Sequence, residues 1–150
     1  MRPDLLLRYL RKKQIKDNKK RFEQKNLQFS VDSLYDLNYM GDSNPDHNLD
    51  IHSPQNTVGE LPVLLVIHGG GYTQCEKFVN DAYSKVFAEK GYRVVNMNYS
   101  LQPEADFIEV MREIFAALHW IEANAQNYGF DCSHLFVTGD SAGGHYAMLV

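Results

Sequence analysis

The chain has 150 residues, enough for one modest domain and too few for two. Its hydrophobic content of 44% and mean hydropathy of −0.40 suit a globular protein, and no run approaches the roughly 18 apolar residues of a membrane span, so no integral membrane segment is expected. The net charge of −4 hides an asymmetry: residues 1–30 hold ten Lys or Arg against three Asp or Glu, net +7, and the remaining 120 residues carry net −11.

The N-terminus has a positive start, but its apolar run, Leu5 to Leu7, is cut by Arg8, so no secretory signal is expected. Cys75 and Cys132 form neither a metal pattern nor a disulfide framework, and a reducing, cytoplasmic setting is expected. From Leu5 to about Asn26, Leu6, Leu7, Leu10, Ile15 and Phe22 recur with partial helical periodicity among many basic residues. The thin stripe predicts a surface helix packed lightly on its host. Contact with anionic lipid or nucleic acid is the less favoured reading, because aromatic residues on the basic face are few. Residues 1–30 are therefore read as a basic helical segment, and residues 31–150 as the body.

Leu27 to Leu37 alternates loosely, as an edge strand would, and the Asp, Asn, Gly and Pro of residues 38–48 predict a loop. Leu49-Asp50-Ile51-His52 reads as a short strand stopped by Ser53-Pro54. Asp46, His47, Asp50 and His52 lie close in sequence without ordered ligand spacing, so no metal site is expected. Leu61 to Ile67 is the most apolar run and fits a parallel strand buried on both faces. A helix over Phe78 to Glu89 follows, with Tyr83, Val86 and Phe87 offered to its inner side, then a strand over Arg93 to Asn98 and a turn over Ser100 to Glu104. Phe107, Met111, Ile114, Leu118 and Ile121, spaced four, three, four and three, define the buried stripe of a helix reaching about Gln126. Asp131 to Ser133 reads as a turn, and Leu135 opens the last strand. Alternating strands and helices imply parallel strands joined by right-handed crossovers.

That last strand ends at Gly139-Asp140-Ser141-Ala142-Gly143-Gly144-His145, a Gly-x-Ser-x-Gly turn entering a helix-compatible run. The run at Leu61 to Ile67 ends at His68-Gly69-Gly70-Gly71-Tyr72. The three glycines lack both the Lys-Ser or Lys-Thr of a Walker A loop and a Gly-x-Gly-x-x-Gly pattern, which disfavours a nucleotide site. Together the two motifs resemble those of hormone-sensitive-lipase-like carboxylesterases, from about Leu49 to Val150. Tyr72 stands where that family often has tryptophan, and Ile108 where proline is frequent.

The resemblance implies an α/β-hydrolase fold, a mostly parallel sheet with flanking helices, incomplete after the elbow strand. It implies Ser141 as the nucleophile, and the backbone N–H groups of Gly70, Gly71 and Ala142 as oxyanion donors. His68, Gly69, Gly139, Asp140, Gly143 and Gly144 become structural members of the motifs, and the N-terminal segment a contributor to the active-site cap or a cover for a sheet edge. In that family the triad acid and histidine follow the serine; nine residues follow Ser141, and none is a candidate. His145 runs away from the serine on the elbow helix, His119 and His134 lie on distant elements, and His47 and His52 are upstream. The expected function is serine carboxylic-ester hydrolysis on a small-molecule ester, without cofactor or nucleic acid and with little activity in these residues alone. A catalytically inert binding or scaffold protein is the alternative. An uncovered edge beside the elbow strand invites self-association.

Overall fold

The computed structural model describes residues 3–23 and 27–150. Met1, Arg2 and residues 24–26, at the basic start of the chain and the expected end of the first helix, lie outside the described residues. The elements are helix α1 (Pro3–Glu23), strands β1 (Val31–Asn38), β2 (Asn48–Pro54) and β3 (Leu61–Ile67), and a 3-10 turn (Lys77–Asn80) running into α2 (Asp81–Glu89). Then come β4 (Arg93–Met97), α3 (Phe107–Ala123), α4 (Ala125–Tyr128), β5 (Phe130–Gly139) and α5 (Ala142–Ala147).

The strands form one mixed sheet in the order β1-β2-β4-β3-β5. β3 runs parallel to both β4 and β5, while β2 is antiparallel to β4 and to β1. The chain moves from β3 outward to β4, then crosses back over β3 to reach β5. With right-handed crossovers, this reversal sends successive helices to opposite faces. The core shows that division. Val63, Leu65, Ile67, Val95 and Met97 pack with Ile114, Ala117 and Ile121 of α3, and Leu64, Val66 and Val94 pack with Ala88 of α2. The alternation of neighbours along β3 is the period of two that a strand covered on both faces requires.

Four expectations are corrected. The inner side of α2 is Ser84 and Ala88, with Phe87 packed half-buried against Leu64, Val66 and Val94 as expected, whereas Tyr83 and Val86 are exposed; small side chains let the helix approach the sheet. The buried stripe of α3 is Val110, Glu113, Ile114, Ala117 and Ile121. Phe107, Met111 and Leu118 sit half-buried at its margin. The helix stops at Asn124, whose side chain donates back to the Trp120 carbonyl at 2.9 Å, and α4 is a separate turn closed by left-handed Gly129. β5 begins at Phe130, and the turn expected at Asp131–Ser133 is a bulge inside it, because the pairing with β3 jumps from Asp131 to Leu135.

The fourth correction concerns α1, where Leu6 and Leu10 are exposed and the half-buried positions are Arg11 and Ile15; the side chains of Leu7 and Phe22 lie outside the described residues. Among the described side chains, a charged group and one apolar residue are what α1 turns towards the body.

Candidate active site

The reversal of strand order places the carboxyl ends of β3 and β5 side by side, the position at which open α/β sheets form their ligand crevices. The two sequence motifs occupy these ends. Ile67 pairs with Gly139, so the His68 loop and the Ser141 turn leave the sheet at the same level.

Ser141 sits at φ 50°, ψ −116°, outside the regions that a residue with a side chain occupies freely. Such backbone strain costs on the order of 1–3 kcal/mol and persists only where neighbours impose it. The neighbours here are the backbones of β3, β5 and α5. A Cβ on Gly139 would overlap Gly143, and one on Gly143 would overlap the Ile67 carbonyl oxygen. The absence of both side chains lets helix and sheet meet closely enough to force the turn. Ser141 itself is exposed, and its carbonyl accepts from the His145 N–H at 3.1 Å.

The loop after β3 has its own backbone demands, with Gly70 at φ 122°, Gly71 at 58° and Tyr72 at 67°. Among the described residues, no hydrogen bond uses the N–H of Gly70 or Gly71. Asp140 joins this loop to the elbow: its Oδ1 accepts from the Gly69 N–H at 2.9 Å and from Asn80 Nδ2 at 3.1 Å. That carboxylate is committed to holding two loops together, which sets it apart from an acid that orients a histidine.

His68 is buried, stacked on Tyr99 with ring centroids 4.3 Å apart, and its Nδ1 donates to the Gly69 carbonyl at 2.7 Å. Burial pulls its pKa down to about 4, so it is neutral and acts as packing beneath the loop. Tyr99 donates to the His68 carbonyl at 2.7 Å. Tyr146, buried on α5, lies edge-on to Tyr99 and stacks on Phe107. No local sequence pattern marks this aromatic floor, because His68 and Tyr99 lie in the loops after β3 and β4, Phe107 on α3 and Tyr146 on α5.

His145 is exposed and accepts or donates through Nδ1 with the Tyr72 hydroxyl at 3.0 Å. His119 pairs with Glu122 on the surface and His134 with Asp131. His47 bridges Asp42 and Glu113 at 2.8 and 3.1 Å, and His52 meets Ser33 at 2.8 Å. Asp50 binds the buried ammonium of Lys77, which also reaches Asp36. Among the described residues, no histidine hydrogen-bonds the Ser141 hydroxyl, and no group of three or more His, Cys, Asp or Glu could hold a metal ion.

A mixed sheet with helices on both faces, a strained serine after one strand and a glycine loop after its neighbour define an α/β hydrolase. The chain belongs to the BD-FAE family, whose profile matches residues 49–150. It is 32% identical over 101 residues to carboxylesterase NlhH of Mycobacterium tuberculosis, covering 67% of this chain and 32% of that protein. It is 31% identical over 98 residues to hormone-sensitive lipase of Bos taurus, covering 65% of this chain and 13% of that one. Esterase B from Lactobacillus rhamnosis, solved with a tributyrin phosphonate inhibitor, superposes with a TM-score of 0.87 at 30% identity, over 97% of this chain and 48% of its own. The chain thus spans about half the length of that esterase and a third or less of these curated relatives. No helix among the described residues is long and apolar enough to cross a membrane.

Proposed function

We propose that the protein is a serine carboxylic-ester hydrolase of the hormone-sensitive-lipase-like branch, acting through an acyl-enzyme on Ser141. The observation that carries the reading is the left-handed, exposed Ser141 between Gly139 and Gly143, level with the free amides of Gly70 and Gly71. In this reading the Ser141 oxygen attacks the ester carbonyl and its proton passes to a histidine. The carbonyl oxygen, now an anion, accepts from the N–H groups of Gly70, Gly71 and Ala142, and the alcohol leaves with the histidine's proton. Water then hydrolyses the acyl-enzyme by the same route. The histidine and its orienting acid come from chain that follows Ser141, in keeping with the order in such hydrolases. The phosphonate found on esterase B supports an uncharged acyl ester of modest size as the substrate class. A reducing, cytoplasmic setting belongs to the same reading, because two cysteines make no disulfide framework in the sequence.

A fluorophosphonate probe tests this. The full-length chain is expected to be labelled and Ser141→Ala not, while residues 1–150 alone label only weakly for want of a general base. A full-length chain that resists labelling would instead favour a catalytically inert α/β-hydrolase-like binding protein.

A further inference from the structure

We infer that Arg11 of α1 is a positioning residue for the oxyanion loop, an inference that rests on the roles proposed above for Ser141, Gly70 and Gly71. The loop needs external support. Gly70, Gly71 and Tyr72 have successive positive φ values, and Tyr72 carries a side chain that is strained in that region. Within the loop, His68 Nδ1 donates to the Gly69 carbonyl at 2.7 Å, and the Gly70 carbonyl accepts from Thr73 and Gln74 at 3.3 and 3.2 Å. The remaining support comes from elsewhere in the chain. Gln102, in the loop after β4, donates its N–H to the Tyr72 carbonyl at 2.9 Å. Arg11 then spans both loops with one guanidinium: Nε donates to the Thr73 carbonyl at 2.8 Å and Nη2 to the Gln102 carbonyl at 2.5 Å. Nη1 completes the set with the Glu104 carboxylate at 3.1 Å.

The chemistry selects arginine. Three acceptors in different directions, two of them carbonyls on separate loops, match a planar fork of five fixed N–H donors. A lysine ammonium offers a single point that cannot lie in line with all three. The Arg11 side chain is 13% exposed, so its charge is mostly out of water and the Glu104 carboxylate offsets it. Among the described side chains of α1, Leu6, Tyr9 and Leu10 face outward, and Arg11 and Ile15, one turn apart, are the half-buried ones. The placement of α1 and the geometry of the loop therefore share one side chain. In this arrangement Arg11 fixes where the Gly70 and Gly71 amides point without touching substrate.

The test compares full-length wild type, Arg11→Lys and Arg11→Ala in p-nitrophenyl butyrate hydrolysis, with fluorophosphonate labelling rate and thermal midpoint measured in parallel. Because displacement of reacting groups by about 1 Å can cost about 100-fold, kcat is expected to fall 10- to 100-fold with KM changed less than about threefold. The labelling rate falls in step. Arg11→Lys, which keeps the charge beside Glu104 and the helix intact, recovers little. Millimolar methylguanidinium restores part of kcat in Arg11→Ala and does nothing for wild type. Wild-type kcat in the Lys variant, or losses that track the unfolded fraction without guanidinium rescue, would overturn the inference. If wild type itself resists the probe, the assignment of Ser141 fails first; a labelled wild type with unchanged variant rates defeats Arg11 alone.

Discussion

At the residue scale the elbow is a problem of missing atoms. A methyl group on Gly143 would overlap the Ile67 carbonyl, whereas one on Gly144 would meet the Gly139 carbonyl oxygen at 3.1 Å, a contact relieved by a small shift. Gly143→Ala is thus expected to destabilise by about 1–3 kcal/mol or prevent folding, and Gly144→Ala by well under half as much, read from urea midpoints. Asp140 supplies the matching polar case. Removing its carboxylate leaves the buried Gly69 N–H without a partner, which costs about 1–3 kcal/mol, while Asp140→Asn retains an acceptor oxygen and most of the stability. The glycines were legible in the sequence, since a close approach leaves a spaced Gly-x-x-x-Gly record. The Asp140 and Arg11 contacts were not: their partners lie 71 and 62 residues away. No local pattern encodes such a distance.

Elements were legible in proportion to how far burial alone dictated them. β3 is sealed on both faces and reads as an unbroken apolar run. α2 was legible only in part: Phe87 packs on the sheet as its size suggests, but Tyr83 and Val86 face outward while the small Ser84 and Ala88 are the fully buried positions. The polar layer beneath α2 was equally hidden: Lys77, Asp50, His52 and Asn96 are buried there, and composition assigns such residues to the surface. α3 carries a second signal at its start, where Asp106 accepts from the Glu109 N–H at 2.8 Å and Glu109 reaches back to the Asp106 N–H at 2.7 Å. This reciprocal cap satisfies two donors that the helix cannot. Asp106→Ala is expected to lower the unfolding free energy by about 1 kcal/mol, and Asp106→Ser to recover most of it, measured by denaturant titration.

Across the whole molecule, buried histidines and an open sheet edge set the conditions under which the fold persists. Burial brings the pKa of His52 and of His68 down to about 4, against about 6.5 in an unfolded chain. Between those values the unfolded state binds more protons, so the contribution is complete above pH 6.5 and is lost as pH falls towards 4. His47 has the opposite sign. Burial would lower its pKa, but hydrogen bonds and charge from Glu113 and Asp42 outweigh that and raise it, so its contribution is complete below pH 6.5 and fades as pH climbs. Urea midpoints measured from pH 4 to 8 should fall steeply on the acid side, and His52→Asn should remove one proton from that slope. The edge acts at any pH. β5 pairs only with β3 among the described residues, Phe136 on it is 49% exposed, and Met148, Leu149 and Val150 add exposed apolar surface after α5. An unpaired strand with apolar side chains offers both hydrogen-bonding groups and buried area to a second copy. Residues 1–150 are accordingly expected to associate with rising concentration in sedimentation velocity, and Phe136→Lys to shift them towards monomer by placing a charge at the contact. Cooperative unfolding of a strictly monomeric 150-residue chain at tens of micromolar would show that the edge is closed by these residues themselves.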